Sequence, residues 1–136
     1  MKDIDKIIQI LSSDIKLGEI LLESQQISFR DLIKELLTTE NEYCLQPFIH
    51  YKNKFNIRYH QFSHIKQVSG FTQEYKYVTQ HVVYIGPLSV NVSDNDIEEE
   101  NVYAGKYSIS MFLSQDHTTY DIEEALNIIE SLLKPY

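Results

Sequence analysis

The spacing of apolar residues changes twice along this chain, and that change sets the class of fold open to it. Toward both ends apolar residues recur at every third or fourth position, and through the middle at every second. A period near 3.6 belongs to a helix with one buried stripe, a period of two to a strand with one buried face.

The first helix is predicted from Ile4, Ile7, Ile8, Leu11 and Ile15, behind Asp3 as its cap. Ser12 and Ser13 are placed to break or kink it, after which Leu17, Ile20 and Leu21 continue an apolar face. Gly18 weakens a single unbroken helix by about 1 kcal/mol relative to alanine. A further helix starts at Ser28, where Ser28 and Asp31 resemble a capping box and Ile27 and Leu32 are spaced as a hydrophobic staple. Leu32, Ile33, Leu36 and Leu37 form its core face. The last helix carries the stripe Ile122, Ala125, Leu126, Ile129, Leu132 and Leu133. Asp121, Glu123 and Glu124 stand at its start and Lys134 at its end, matching the helix dipole; Thr118 or Thr119 can cap it and Pro135 stops it.

Between these helices Phe55, Ile57 and Tyr59 alternate with Lys54, Asn56, Arg58 and His60, a half-buried strand. Pro47 to Tyr51 supplies its hairpin partner, with Lys52 and Asn53 near the turn. Tyr75 to Ile85 is rich in aromatic and β-branched residues, and Gly86-Pro87 marks a bend or a turn. Leu88, Val90 and Val92 alternate, as do Tyr107, Ile109 and Met111. The expectation is an α+β fold: two N-terminal helices, an antiparallel sheet of four or five strands, and a C-terminal helix packed on the sheet. At 136 residues it is one domain, 1–136, and 43 % apolar content supports a real core.

Charge is distributed unevenly. Residues 1–45 hold nine acids and five bases (−4), residues 46–79 one acid and five bases (+4), and residues 80–136 ten acids and two bases (−8). Such a field favours encounter with basic partners and repels nucleic acid. The lone Cys44 makes no internal disulfide, no targeting segment is visible, and no apolar run approaches the roughly 20 residues of a bilayer span. A cytoplasmic protein with no membrane association is expected.

The most pointed functional feature is a cluster of five carboxylates, Asp94, Asp96, Glu98, Glu99 and Glu100, between two strand-like stretches. It lacks the glycine and ligand offsets of an EF-hand. His60 and His64 share a face but have no third ligand nearby, so no metal and no other cofactor is expected. The chain has no Gly-x-Ser-x-Gly, Walker A or Gly-x-Gly-x-x-Gly motif, and only four glycines. Lys52, Lys54, Arg58 and Lys66 are interleaved with Tyr51, Phe55, Tyr59 and Phe62. Alternation nevertheless sends Phe55 and Tyr59 to the face opposite Lys54 and Arg58, which disperses a base-stacking platform.

From Lys16-Leu17-Gly18-Glu19-Ile20-Leu21-Leu22 through Ile27, Leu32 and Leu36 the chain resembles the N-terminal module of type II secretion and pilus ATPases, some of which bind cyclic di-GMP. Lys16, Gln25 and Thr39 stand where that pattern has arginine, glycine and glutamine, and its second tandem copy is absent. Two amphipathic helices joined by a turn account for the same residues, and the nucleotide site is not carried over. In size, acidity and build the chain is similar, as a class, to the heterogeneous bacterial immunity proteins. The expectation is an immunity or antitoxin-like inhibitor, not an enzyme, that occludes a basic partner, a cognate toxin and in one version a nuclease. Asp94, Asp96, Glu98, Glu99 and Glu100 would oppose basic residues, while Tyr103 and Tyr107 supply aromatic anchors. The alternatives are a secretion chaperone or adaptor that binds an extended client, and a small enzyme using His60, His64 or His81 as general base.

Overall fold

The computed structural model of the chain describes residues 4–38, 45–50, 55–67, 75–93, 107–111 and 116–136. In chain order these form α1 (Ile4–Ser13), α2 (Ile15–Ser24), α3 (Phe29–Thr38), β1 (Leu45–Ile49), β2 (Asn56–Gln67), β3 (Tyr75–Ile85), β4 (Leu88–Ser93), β5 (Tyr107–Met111), β6 (His117–Thr119) and α4 (Ile122–Leu133). The α+β expectation holds, with helices first, then an antiparallel sheet, then a helix packed on it. Among the described residues the sheet has six strands in the order β1-β2-β3-β4-β5-β6, where four or five were expected, and three helices precede it, where two were expected.

Local chemistry explains the helix boundaries. The serines do not break the first helix: Ser12 and Ser13 stay helical and bond back to the carbonyls of Gln9 and Ile10. The break falls at Asp14, whose extended backbone and side chain cap α2 by accepting from the Leu17 N–H at 3.2 Å. The turn after α2 is a Schellman motif. The Ile27 N–H bonds to Leu22 O (3.1 Å) and the Gln26 N–H to Glu23 O (3.0 Å), while buried Ile27 and Leu22 supply its apolar contact. Gln26 holds the left-handed position, at φ 52°, where glycine is usual. Ser28 caps α3 as expected, its hydroxyl accepting from the Asp31 N–H at 3.0 Å. At α4 the cap is Asp121, which accepts from the Glu123 N–H at 3.2 Å. Thr119 assists, accepting from the Asp121 N–H and donating to Glu124.

Register carries the alternation across the sheet. Tyr59 pairs with Val83, Val83 with Val90, and Val90 with Ile109. This row and the parallel row Ile57, Ile85 and Leu88 are fully buried, as is Phe48 on β1. With the apolar faces of all four helices they make one contiguous core. α1 and α2 lie against β1, α3 contacts β3, and α4 covers β5 and β6. Gly86 and Pro87 form a two-residue turn closing Ile85 on Leu88. Positive φ at Gly86 (54°) with the fixed negative φ of proline matches a type II′ turn and excludes type I′.

Both sheet edges are guarded. β6 is three residues long. β1 carries Pro47 and a register irregularity, and the outward Ile49 N–H is bonded to Glu19 Oε1 at 3.0 Å. On the helical side Arg30 of α3 donates to Asn127, Glu130 and Glu123 of α4, and Lys34 donates to Glu123. These bonds hold the Glu123 carboxyl below the usual carboxylate range, Arg30 contributing most.

Candidate functional site

Asp94, Asp96, Glu98, Glu99, Glu100 and Tyr103 lie outside the described residues, as does Cys44. What is described is the pair of strands that brackets the acidic stretch. β4 and β5 stay in antiparallel register through Val92 and Tyr107, and Ser93, the last residue of β4, pairs with Gln80 of β3. Val92 is 2 % exposed and Tyr107 3 % exposed.

That burial corrects the expectation for Tyr107. Positions 107, 109 and 111 share the face turned toward the helices, so the Tyr107 ring belongs to the core. It fastens the base of the acidic stretch and offers no surface to a partner. Beside it, on the same face, the Tyr59 hydroxyl lies 2.6 Å from His81 Nδ1, with both residues buried.

Of the histidines considered as general bases, the His64 side chain lies outside the described residues, and His60 and His81 are not brought together. His81 is buried under the helices, whereas His60 is exposed on the opposite face, opposite Val82 in register. Among the described residues no group of three or more His, Cys, Asp or Glu side chains is arranged to hold a metal ion. No helix among them is long and apolar enough to cross a membrane.

The face of the sheet turned away from the helices carries a feature that alternation alone does not reveal. Arg58 and Tyr84 are register partners, and the guanidinium carbon lies 4.3 Å from the Tyr84 ring centroid. Phe55 and Tyr59 do leave this face, as expected, but β3 returns an aromatic ring to it. Exposed Asn56 and His60 flank the pair, with half-buried Ser89, Asn91, Ser108 and Ser110 on the neighbouring strands. A second surface lies at the β1 edge, where Leu17 (45 %) and Ile20 (56 %) of α2 and Ile49 (49 %) are exposed.

One titratable contact joins two helices. Glu35 of α3 shares a hydrogen bond with Asp5 of α1; that bond, then burial, then the negative charge of Asp5, push its carboxyl up to about 7. A carboxyl raised on folding stabilises the fold below its unfolded value near 4.5, and the contribution is lost as pH rises through about 7. Glu35→Gln is therefore expected to leave stability unchanged at pH 4. At pH 8 it should raise stability by roughly 1 kcal/mol, solvent screening having reduced the full effect. Urea titrations at the two pH values measure the difference, and an equal effect at both would remove the shared proton from the account.

Comparison of the chain with models of protein families, with curated proteins and with solved structures returned no match. The fold and surfaces define an α+β domain in which helices cover one face of a six-stranded antiparallel sheet.

Proposed function

We propose that this domain is a small inhibitor of the immunity or antitoxin kind, and that Asp94, Asp96, Glu98, Glu99 and Glu100 dock into the basic cleft of a toxic enzyme, such as a nuclease. The observation that supports this reading is the locked pair Val92 and Tyr107, which bounds the carboxylate-bearing stretch at both ends with buried strand residues. Five negative charges on so short a stretch accelerate encounter with a basic partner and make binding sensitive to salt. The localisation that goes with this role is the cytoplasm.

The test begins with affinity capture of the partner from the native host. Association is then followed by stopped flow for the natural chain and for the variant Asp94→Asn, Asp96→Asn, Glu98→Gln. The variant should associate about ten-fold more slowly at low ionic strength, with a flatter dependence on salt. Identical kinetics for the two proteins would reject the acidic stretch as the docking site.

The exposed Leu17, Ile20 and Ile49 favour a second reading, an adaptor or secretion chaperone that receives an apolar client segment at the β1 edge. It predicts a stable homodimer and weak salt dependence, which sedimentation at two ionic strengths separates from the first reading.

A further inference from the structure

Every large aliphatic side chain left exposed among the described residues stands at one edge of the fold: Leu17 and Ile20 on α2, and Ile49 on β1. The other exposed large apolar residues, Tyr84, Tyr120 and Tyr136, each carry a hydroxyl that suits them to water. Glu19 ties the edge together, its carboxylate on α2 accepting from the Ile49 N–H at 3.0 Å. Gly18 is buried against Leu11 of α1, which turns the opposite side of α2, centred on Ile20, outward.

Charge on that outward side is arranged about its centre. At about 100° per residue, Lys16, Ile20 and Glu23 fall within an arc of about 60°, Lys16 one turn before Ile20 and Glu23 one turn after it. Both charged residues are exposed, and among the described residues neither enters an ion pair. A second α2 laid antiparallel across the first, with a two-fold axis near Ile20, sets Ile20 against its own copy. Each Lys16 then comes within about 1.5 Å, along the helix axis, of the level of the partner's Glu23. A parallel arrangement opposes lysine to lysine and glutamate to glutamate. The stripe is complementary to itself in one orientation.

The edge also discriminates against other occupants. An extended segment joins a sheet through main-chain hydrogen bonds, but Pro47 has no N–H to give and the Ile49 N–H is already held by Glu19. A purely apolar client would leave Lys16 and Glu23 facing no opposite charge.

We propose that the face of α2 formed by Lys16, Leu17, Ile20 and Glu23, with Ile49 at its border, joins two copies of this chain in a two-fold dimer. Three apolar side chains from each copy and two ion pairs make an interface well below the roughly 1,600 Å² of a standard complex, and two chains of net charge −8 repel one another. The dimer is therefore weak, with a Kd of about 10–200 µM. The proposal goes beyond the inhibitor reading, which uses none of these residues. It gives to a second copy the surface that the adaptor reading gives to a client.

Sedimentation equilibrium of the full chain from about 5 to 500 µM tests it. A reversible equilibrium between monomer and dimer is expected, weakened at least about ten-fold by Ile20→Glu, which places two like charges on the axis. Lys16→Glu opposes like charges at both ends of the contact and should weaken association at least about five-fold. Adding Glu23→Lys to it exchanges the members of each pair and should restore the Kd to within about two-fold of the natural value. An acid in the first turn of α2 and a base in the last suit the helix dipole, so the circular dichroism spectrum should not change. A monomer at about 500 µM, a dimer indifferent to Ile20→Glu, or a loss in Lys16→Glu that Glu23→Lys fails to restore overturns the proposal. A tight dimer that survives all these changes also overturns it, and leaves the edge to the client of the adaptor reading. Every variant keeps Asp94 to Glu100 intact, so the inhibitor reading stands or falls separately.

Discussion

Replacing Tyr59 with alanine is expected to lower the free energy of unfolding by about 3–5 kcal/mol, a large part of what a single domain possesses. Tyr59 is 0 % exposed and stands in the central row of the core, on β2 beside Val83 of β3. Truncation would leave a ring-sized cavity lined by residues of several elements that cannot all close in. Its hydroxyl adds a polar contact, 2.6 Å from His81 Nδ1, with the rings 5.8 Å apart and inclined at 33°. The proton lies on the hydroxyl when the imidazole is protonated on Nε2 alone, and on Nδ1 in the other tautomer. Tyr59→Phe keeps the packing and removes only this bond, and should cost about 1–2 kcal/mol. Urea denaturation followed by far-ultraviolet circular dichroism gives both numbers. A phenylalanine variant as unstable as the alanine variant would mean that the hydrogen bond, not the packing, organises this part of the core.

The elements with long apolar periods were legible without coordinates. β3 runs from Tyr75 to Ile85 and the turn sits at Gly86-Pro87, because a run of β-branched and aromatic residues ending at Gly-Pro has few alternatives. α3 starts after Ser28 because a hydroxyl there satisfies an otherwise unpaired N–H. Illegible features lacked a local signature. β6 is three residues, His117 to Thr119, too short to show a period, and its threonines also suit a helix cap. The break between α1 and α2 is set by Asp14, although the neighbouring serines looked equally suited to it. The stop after α2 uses Gln26 in a left-handed conformation, so no glycine announces it.

The surfaces follow the same logic. The alternation that makes β5 a strand also assigns Tyr107 to the face of Ile109, so its burial was already implied by its spacing. The pairing of Arg58 with Tyr84 was not implied, since it depends on the register between two strands 26 positions apart in sequence at that point. Register arises from the fit of whole faces and from the geometry of the turn, neither of which any one residue reports. An exposed cation–π pair therefore emerges only once β2 and β3 are aligned.

Gly18→Ala provides the sharpest conflict between local preference and packing. On helix propensity alone the change should stabilise α2 by about 1 kcal/mol. In this fold a Cβ at position 18 would lie 2.5 Å from Leu11 Cδ2, 2.6 Å from its Cγ and 3.1 Å from its Cα. Leu11 is 0 % exposed and packed in the core, so its side chain has nowhere to retreat, and the backbone contact requires α1 and α2 to separate. Overpacking of this kind costs about 1–3 kcal/mol and outweighs the gain in propensity, so the variant is expected to be the less stable protein. A double-mutant cycle isolates the cause. Leu11→Ala alone should cost about 2–5 kcal/mol by leaving a cavity, but in the Gly18→Ala background the new methyl group enters that cavity and the combined loss falls short of the sum. Simple additivity would place the effect in the helix backbone, and a stabilised Gly18→Ala protein would show that the two helices do not meet as closely as this packing requires.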